Sequence, residues 1–430
     1  MKTVKDTVTK IYEGPRFHLL AAALIAVLTL LAYSNTFHAS FHFDDDLAIN
    51  ENQAIKHVSS ENIMSLLRTN RPITYLSLMF SYATSGLNVV GWHIFNLSFH
   101  IANSILVYVL ILWTVTLPVF RERYVDKARG MALFGALLFA VHPIQTEAVT
   151  YIISRSELLA SFFFLSTFLL FIRGTQKDRF GYYVLALITA LCAMGSKEWA
   201  ATLPAMLVLY DYLFVSQGSF GKVMKRWPAY ALLFLPWVLA AYILSKFQGS
   251  TSAGFSMSGI KGITPWTYLL TSFNVIWTYV RLLILPINQN IDYDYPLATT
   301  LFEFPTLLSL IGHIVVIGAA FWTYKKKGWL LVPFGAAWFY IILSPTQSFV
   351  PIMDLIFEHR VYLPSLGFFL AFIAGFEALF ALGQPKEEII KVQLSKPVNK
   401  KDKKKKRTRG VSVDQMRTVT VKGIDQRMRD

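Results

Sequence analysis

The sequence predicts an all-α, polytopic helical membrane protein with about 10–11 transmembrane helices. Three observations predict it. Hydrophobic residues make up 54% of the 430-residue chain and charged residues only 16%, where soluble domains carry about 25% charge. The apolar residues gather in blocks close to the roughly 20 that span a bilayer as a helix. Cys192 is the only cysteine, so no disulfide scaffold can compensate for a missing core. Together these exclude a water-soluble globular enzyme and a disordered chain.

Taken in order, candidate spans fall at roughly 18–34, 93–118, 130–142, 157–172, 181–196, 199–214, 228–246, 302–323, 329–344 and 362–382. The first reads as uncleaved. Its run from His18 to Tyr33 is long for a signal core, and no small-x-small site ends it. Segments 1–17, 119–130, 173–180, 215–227 and 324–328 carry 4, 4, 3, 3 and 3 Lys or Arg, and Lys386 to Asp430 carries 15. Alternation therefore places both termini and those loops in the cytoplasm. Ten crossings preserve that arrangement, so an eleventh apolar stretch, 266–286, is expected to be re-entrant or interfacial on the outer face. The predicted organisation is a cytoplasmic N-terminus (1–17), a membrane domain (18–382) with its longest outer loop at 35–92, and a tail (383–430). That tail is too polar to bury a core and is expected to be largely disordered. Its basic run reads as an anchor against anionic lipid rather than a nucleic-acid arm. Gly249 to Gly259 reads as a flexible outer loop, without the strand-helix context of a phosphate-binding loop. No repeat of 20–50 residues is evident.

The ionisable residues are unevenly placed. Thirteen carboxylates lie in outer segments, with Arg71, His142, Arg155, Lys197, His359 and Arg360 beside them. Within the spans, Asp211 and Glu377 are the main ionisable residues. Ion-coupled transporters carry such groups near the midplane. The outer placement favours an enzyme acting on a lipid headgroup. Asp44, Asp45 and Asp46 are adjacent, and their mutual repulsion can raise one pKa or recruit a cation. One of them could act as general base toward a hydroxyl; the plain alternative is a solvated acidic turn. Arg71 adds a cation where the chain re-enters the membrane, or snorkels. Pro143 breaks the third span, freeing polar groups around His142 and Glu147. Lys197 lies in almost no loop and either pairs with Glu198 or meets a lipid phosphate as a point charge. His359 and Arg360 precede the last span, where histidine can move a proton and arginine can grip phosphate, or both anchor the helix. Asp292 and Asp294 form an Asp-x-Asp amid tyrosines that also suit an interfacial belt. His93 and His100, seven apart, share a helical face and read as packed core residues. No paired-cysteine or HExxH metal motif and no GxSxG elbow is present.

Seven motifs occur in a telling order: Phe43–Asp45, Arg71–Thr74, Trp92–His100, His142–Val149, Ser154–Ala160, Ser196–Glu198 and Glu358–Phe368. They resemble the membrane half of the transmembrane-and-tetratricopeptide-containing O-mannosyltransferases and their prokaryotic relatives, of the GT-C glycosyltransferase superfamily. The resemblance covers roughly residues 18–382. It implies a GT-C-like enzyme that takes a sugar, mannose or another hexose, from a polyprenyl-phosphate donor. The acceptor is a hydroxyl of a protein or glycan on the extracytoplasmic face. The acidic role of the first outer loop then falls on Asp44 or Asp45, as base or metal ligand, with Asp46 an addition. Glu147 matches the acidic position of the second outer loop. Arg155, Lys197 and Arg360 match basic positions expected to hold the donor phosphate, with His359 beside them and Arg71 and His142 in support.

Two departures qualify the match. A basic tail stands where the tetratricopeptide array is expected, so acceptor recognition is expected from a partner protein. His359 stands where relatives often carry a glutamate. The adjacent carboxylates could bind Mg²⁺ or Mn²⁺ or work bare. A prokaryotic cell membrane is the expected location, with the endoplasmic reticulum membrane as the alternative. The alternative function is a translocator of a polyprenyl-phosphate sugar or lipid, which would need a matching cytoplasmic cluster that the sequence does not display. A third is a non-catalytic membrane scaffold.

Overall fold

The structure, a computed structural model, describes residues 14–246, 263–325 and 329–382. The tail at 383–430, most of the N-terminal segment, the loop at Gly249 to Gly259 and Lys326 and Lys327 lie outside the described residues. Among the described residues there is helix and no strand. The principal helices are α1 (Arg16–Ala32), α2 (Pro72–Ser85), α3 (Val89–Val115), α4 (Ala128–Val141), α5 (Arg155–Lys177), α6 (Phe180–Met194), α7 (Leu203–Tyr210), α8 (Trp227–Lys246), α9 (Pro265–Ile284), α10 (Phe304–Tyr324), α11 (Leu331–Leu343) and α12 (Pro364–Leu382). The chain up to Ala374 is one unit of contacts; the second, from Gly375, carries the end of α12.

Every predicted span coincides with helix. Fewer helices reach crossing length. By length and composition α3, the stretch Ile152–Lys177 and α10 can cross a membrane. A fourth would be the bent pair Val125–Val141 and Pro143–Thr150. Arg16–Ala32, Phe180–Met194 and Leu331–Leu343 are apolar but shorter, 13 to 17 residues against the roughly 20 of a full span. The predicted span 199–214 is a 3₁₀ segment (Glu198–Thr202), then α7, then a π-helical turn (Asp211–Val215). There the carboxylate of Asp211, buried, takes hydrogen bonds from Ser216, Arg226 and Tyr230. α9, over the stretch expected not to cross, is a 20-residue helix outside the crossing set.

The sequence dictates the packing locally. Pro72 opens α2 at the one helical position where its missing N–H is harmless. Asn96, His100 and Asn103 lie three and four apart on α3 and share a face. Asn96 donates to the carbonyls of Val149 and Ile152, and Asn103 to that of Leu158. His100 lies 2.7 Å from the Tyr362 hydroxyl and 2.9 Å from the Ala140 carbonyl. Such interhelical bonds hold helices together where lipid supplies no hydrophobic drive. His93 is likewise a packed residue, 2.9 Å from the Ala39 carbonyl.

Small residues set the α11–α12 crossing. A Cβ on Gly335 of α11 would lie 2.3 Å from the Gly367 carbonyl of α12. We expect Gly335→Val to force these helices apart, destabilising the protein by about 1–3 kcal/mol. An unaltered melting temperature in detergent would refute that reading of the crossing.

Candidate active site

After α1 the chain makes a 3₁₀ turn (Thr36–His38) and then a π-helical turn (Asp46–Asn50). Phe43 has φ of 50°, left-handed, where a bulky residue is strained by roughly 1–2 kcal/mol. This conformation aims three consecutive aspartates differently. Asp44 and Asp46 are exposed; Asp45 is 1% exposed. The Asp45 carboxylate accepts the Ile153 N–H at 2.8 Å on Oδ1 and the His42 N–H at 3.1 Å on Oδ2. The Asp44 N–H donates to the Tyr151 hydroxyl at 2.9 Å. Burial pushes the Asp45 carboxyl up to about 6, against the pull of those two N–H groups.

The second wall comes from the break after α4. His142 leaves the helix, and Pro143 starts a 3₁₀ turn (Pro143–Gln145) followed by a short helix (Thr146–Thr150), bent 51° from the preceding one. His142 caps this turn: its Nδ1 accepts the Ile144 N–H, and its Nε2 lies 3.2 Å from the Leu283 carbonyl. It supports the wall and does not line the cavity. Glu147, beyond the bend, meets His359. Its Oε1 is 2.5 Å from the ring Nδ1, and its Oε2 accepts the His359 N–H at 3.0 Å. Burial pushes the Glu147 carboxyl up to about 7.

Glu358 closes the third side. It accepts from the Asn290 N–H at 2.9 Å, from the Gln289 side chain and from the Tyr293 hydroxyl. The cavity is about 220 Å³, and Asp45, Glu147, Glu358, Tyr151 and Gln289 are among its lining residues. A neighbouring cavity of about 360 Å³, bordered by Tyr33, Asn35, Thr36 and Pro143, shares Ala39, Thr146 and Thr150 with it. Sequence reasoning missed Glu358 and Gln289. The only signal was Glu358 standing beside His359 and Arg360. The Asp-x-Asp turned out inverted: Asp292 and Asp294 are exposed, and Tyr293 between them reaches Glu358.

The expected phosphate-binding cations are more enclosed than expected. Lys197 pairs with Glu157 rather than Glu198, at 2.6 Å, and the Trp199 indole donates to the other Glu157 oxygen. Glu198 instead takes a two-pronged bond from Arg71, with Nη2 to Oε2 at 2.8 Å. Arg155 is fully buried, its guanidinium 4.9 Å from the Trp92 ring and 4.4 Å from that of Phe95. It donates to the Ser77 carbonyl and the Ser81 hydroxyl. Among the described residues, the Nη1 of Arg360 is buried without a hydrogen-bond partner, as are the Nε and Nη2 of Arg155. The Arg360 guanidinium lies over Phe357, whose ring stacks on His359. For a metal, Asp44 and Asp45 find no third ligand: among the described residues no group of three or more His, Cys, Asp or Glu is placed to hold an ion.

The human protein O-mannosyl-transferase TMTC1 is 26% identical over 84% of this chain and 46% of its own length. The fruit-fly (Drosophila melanogaster) Tmtc3 transferase is 24% identical over 85% of this chain and 47% of its own. Human TMTC4 is 23% identical over 87% and 58%. The chain resembles protein O-mannosyl-transferases. A shorter stretch is closer: mouse TMTC3 is 33% identical over 45% of this chain. The chain spans about half the length of the curated relatives it matches over most of its own. No family model and no solved structure matches it. Its all-α architecture, with three helices among the described residues long and apolar enough to cross a bilayer, is that of a helical membrane protein.

Proposed function

We propose that this chain is a membrane glycosyltransferase that moves a sugar, mannose before other hexoses, from a polyprenyl-phosphate donor to an acceptor hydroxyl of a protein. The carrying observation is Asp45, a buried carboxylate held by two backbone N–H groups at the wall of a cavity shared with Glu147 and Glu358. The relatives, protein O-mannosyl-transferases, suggest the sugar and the acceptor class. Asp45 takes the proton of the acceptor hydroxyl as that oxygen attacks the anomeric carbon. The bond to the lipid phosphate breaks on the opposite side, so one displacement inverts the centre. Phosphate is already a good leaving group, which leaves positioning and charge stabilisation as the protein's main contributions. Arg360, with its unpartnered Nη1, is the cation we assign to the phosphate. The basic loops, and with them both termini, are read as cytoplasmic. A partner protein is read as supplying acceptor recognition.

The test is transfer from polyprenyl-phosphate mannose or glucose to a threonine-containing peptide, by the full chain in nanodiscs, with and without EDTA. Wild-type transfer that Asp45→Asn lacks would support the reading. Donor binding with no transfer to any peptide, together with movement of the donor across a vesicle membrane, would replace it with the translocator.

A further inference from the structure

Asp45 and Glu147 border the same cavity but are held in opposite ways. Asp45 is surrounded by donors only, two backbone N–H groups, and these favour the ionised carboxylate. Glu147 meets one backbone N–H and one ring nitrogen that can either donate or accept. The ring is fixed from three directions. Phe357 stacks on it at 4.9 Å between centroids, the His359 N–H ties its own backbone to Glu147, and the far nitrogen, Nε2, stands 4.0 Å from Glu157. Glu157 is itself neutralised by Lys197.

We propose that Glu147, hydrogen-bonded by His359, serves as the acid of this site, with His359 as the positioning residue. The proposal rests on the transferase reading above. In the step, the acceptor O–H bond breaks and its proton goes to Asp45. The acceptor oxygen bonds to the anomeric carbon, and the carbon–oxygen bond to phosphate breaks with its electron pair on phosphate. The acidic proton moves from Glu147 to that phosphate oxygen, while His359 keeps its own hydrogen on Nδ1 throughout and hydrogen-bonds it to Oε1. Glu147 is left as a carboxylate held by that Nδ1–H; water then takes the proton from Asp45 and reprotonates Glu147.

The electrostatic surroundings fit. Burial opposes charge on both partners, raising the carboxyl and lowering the imidazole. The charged and titratable groups facing the pair are Lys197, Arg360, Arg71, Glu157, Tyr151 and Tyr279. The cations oppose protonation of the imidazole, and Glu157 favours it. The acidic proton therefore rests on Glu147, and His359 stays neutral with its own hydrogen on Nδ1 facing Glu147 Oε1.

The consequence is a sign. In neutral His359 the ring N–H stabilises the Glu147 carboxylate by a charge-assisted bond, stronger than the bond it makes to the protonated form. Removing the ring therefore raises the pH at which the pair gives up its proton. His359→Phe is expected to move the basic limb of kcat/KM up by about one pH unit. His359→Gln, whose amide can still donate, is expected to hold that limb near the wild type. The second readout needs no turnover. In the full chain labelled with ¹⁵N-histidine, one of nine imidazoles should vanish in His359→Gln. That resonance should show a hydrogen-bonded Nδ1 that becomes an ordinary one in Glu147→Gln. Transfer with an unmoved basic limb, and a His359 resonance indifferent to Glu147→Gln, would overturn the pair and leave the transferase standing. The ¹⁵N signature without transfer from polyprenyl-phosphate mannose or glucose would sink the transferase reading and leave the pair as a proton carrier for another reaction.

Discussion

Asp45→Asn is expected to lower sugar transfer by about 10²–10⁴-fold and to leave the protein folded. Both halves follow from the carboxylate's setting. Losing the base removes the group that accepts the hydroxyl proton, and no water-exposed neighbour replaces it, because Asp44 and Asp46 face outward. The effect on stability is small because two contributions oppose each other. The carboxyl rises from 3.8 to about 6 on folding. Its stabilising contribution is full below pH 3.8 and is lost as the pH rises through about 6, so at neutral pH the buried charge costs about 3 kcal/mol. Asparagine removes that cost. It also turns an amide NH₂ toward one of two N–H donors, a loss of about 1–3 kcal/mol. A melting temperature close to the wild type, with transfer abolished, is the expected pair of results. The wild-type rate should rise with pH through about 6, as Asp45 ionises. Asp44→Asn should be the milder change. If the two variants lost activity equally, the assignment to Asp45 would fail.

Glu157→Gln is expected to produce the largest loss of stability, about 3–5 kcal/mol. Glu157 is 1% exposed, and Lys197 beside it 8%. The glutamine keeps the shape and removes the charge, so the Lys197 ammonium is left buried without its counter-ion. The Trp199 indole keeps an oxygen to donate to, which isolates the electrostatic part. Adding Lys197→Met should restore most of the stability, because replacing a buried pair with apolar groups is often neutral. Thermal unfolding of the wild type, both single variants and the double variant gives the coupling directly. A Glu157→Gln melting curve that overlays the wild type would mean that Lys197 reaches water or another anion.

The apolar blocks located every long helix except α2. Its sequence mixes Ser, Thr and Tyr among apolar residues, so it lacks the uniform hydropathy of a span. The stretches 266–286 and 302–323 were legible because their blocks are long. The 199–214 stretch misled because composition does not reveal a 3₁₀ and a π turn at either end of α7. At the site, the carboxylate types and their loops were readable, but which aspartate turns inward was not. That choice is made by the left-handed Phe43, and nothing in an Asp triplet encodes it. Arg155 looked like an interfacial cation because only its neighbours in sequence were visible. Its true surroundings, Trp92 and Phe95, come from another helix. Glu358 was invisible as a wall because Gln289 and Tyr293 lie 69 and 65 residues away.

Glu147 and His359 are separated by 212 residues of chain. During synthesis on a ribosome the first half of the site is threaded into the membrane long before its partner is made. On the transferase reading proposed above, Asp45 and Glu147 enter the membrane without the Glu358 and His359 side of the site, so competence waits for the segment leading into α12.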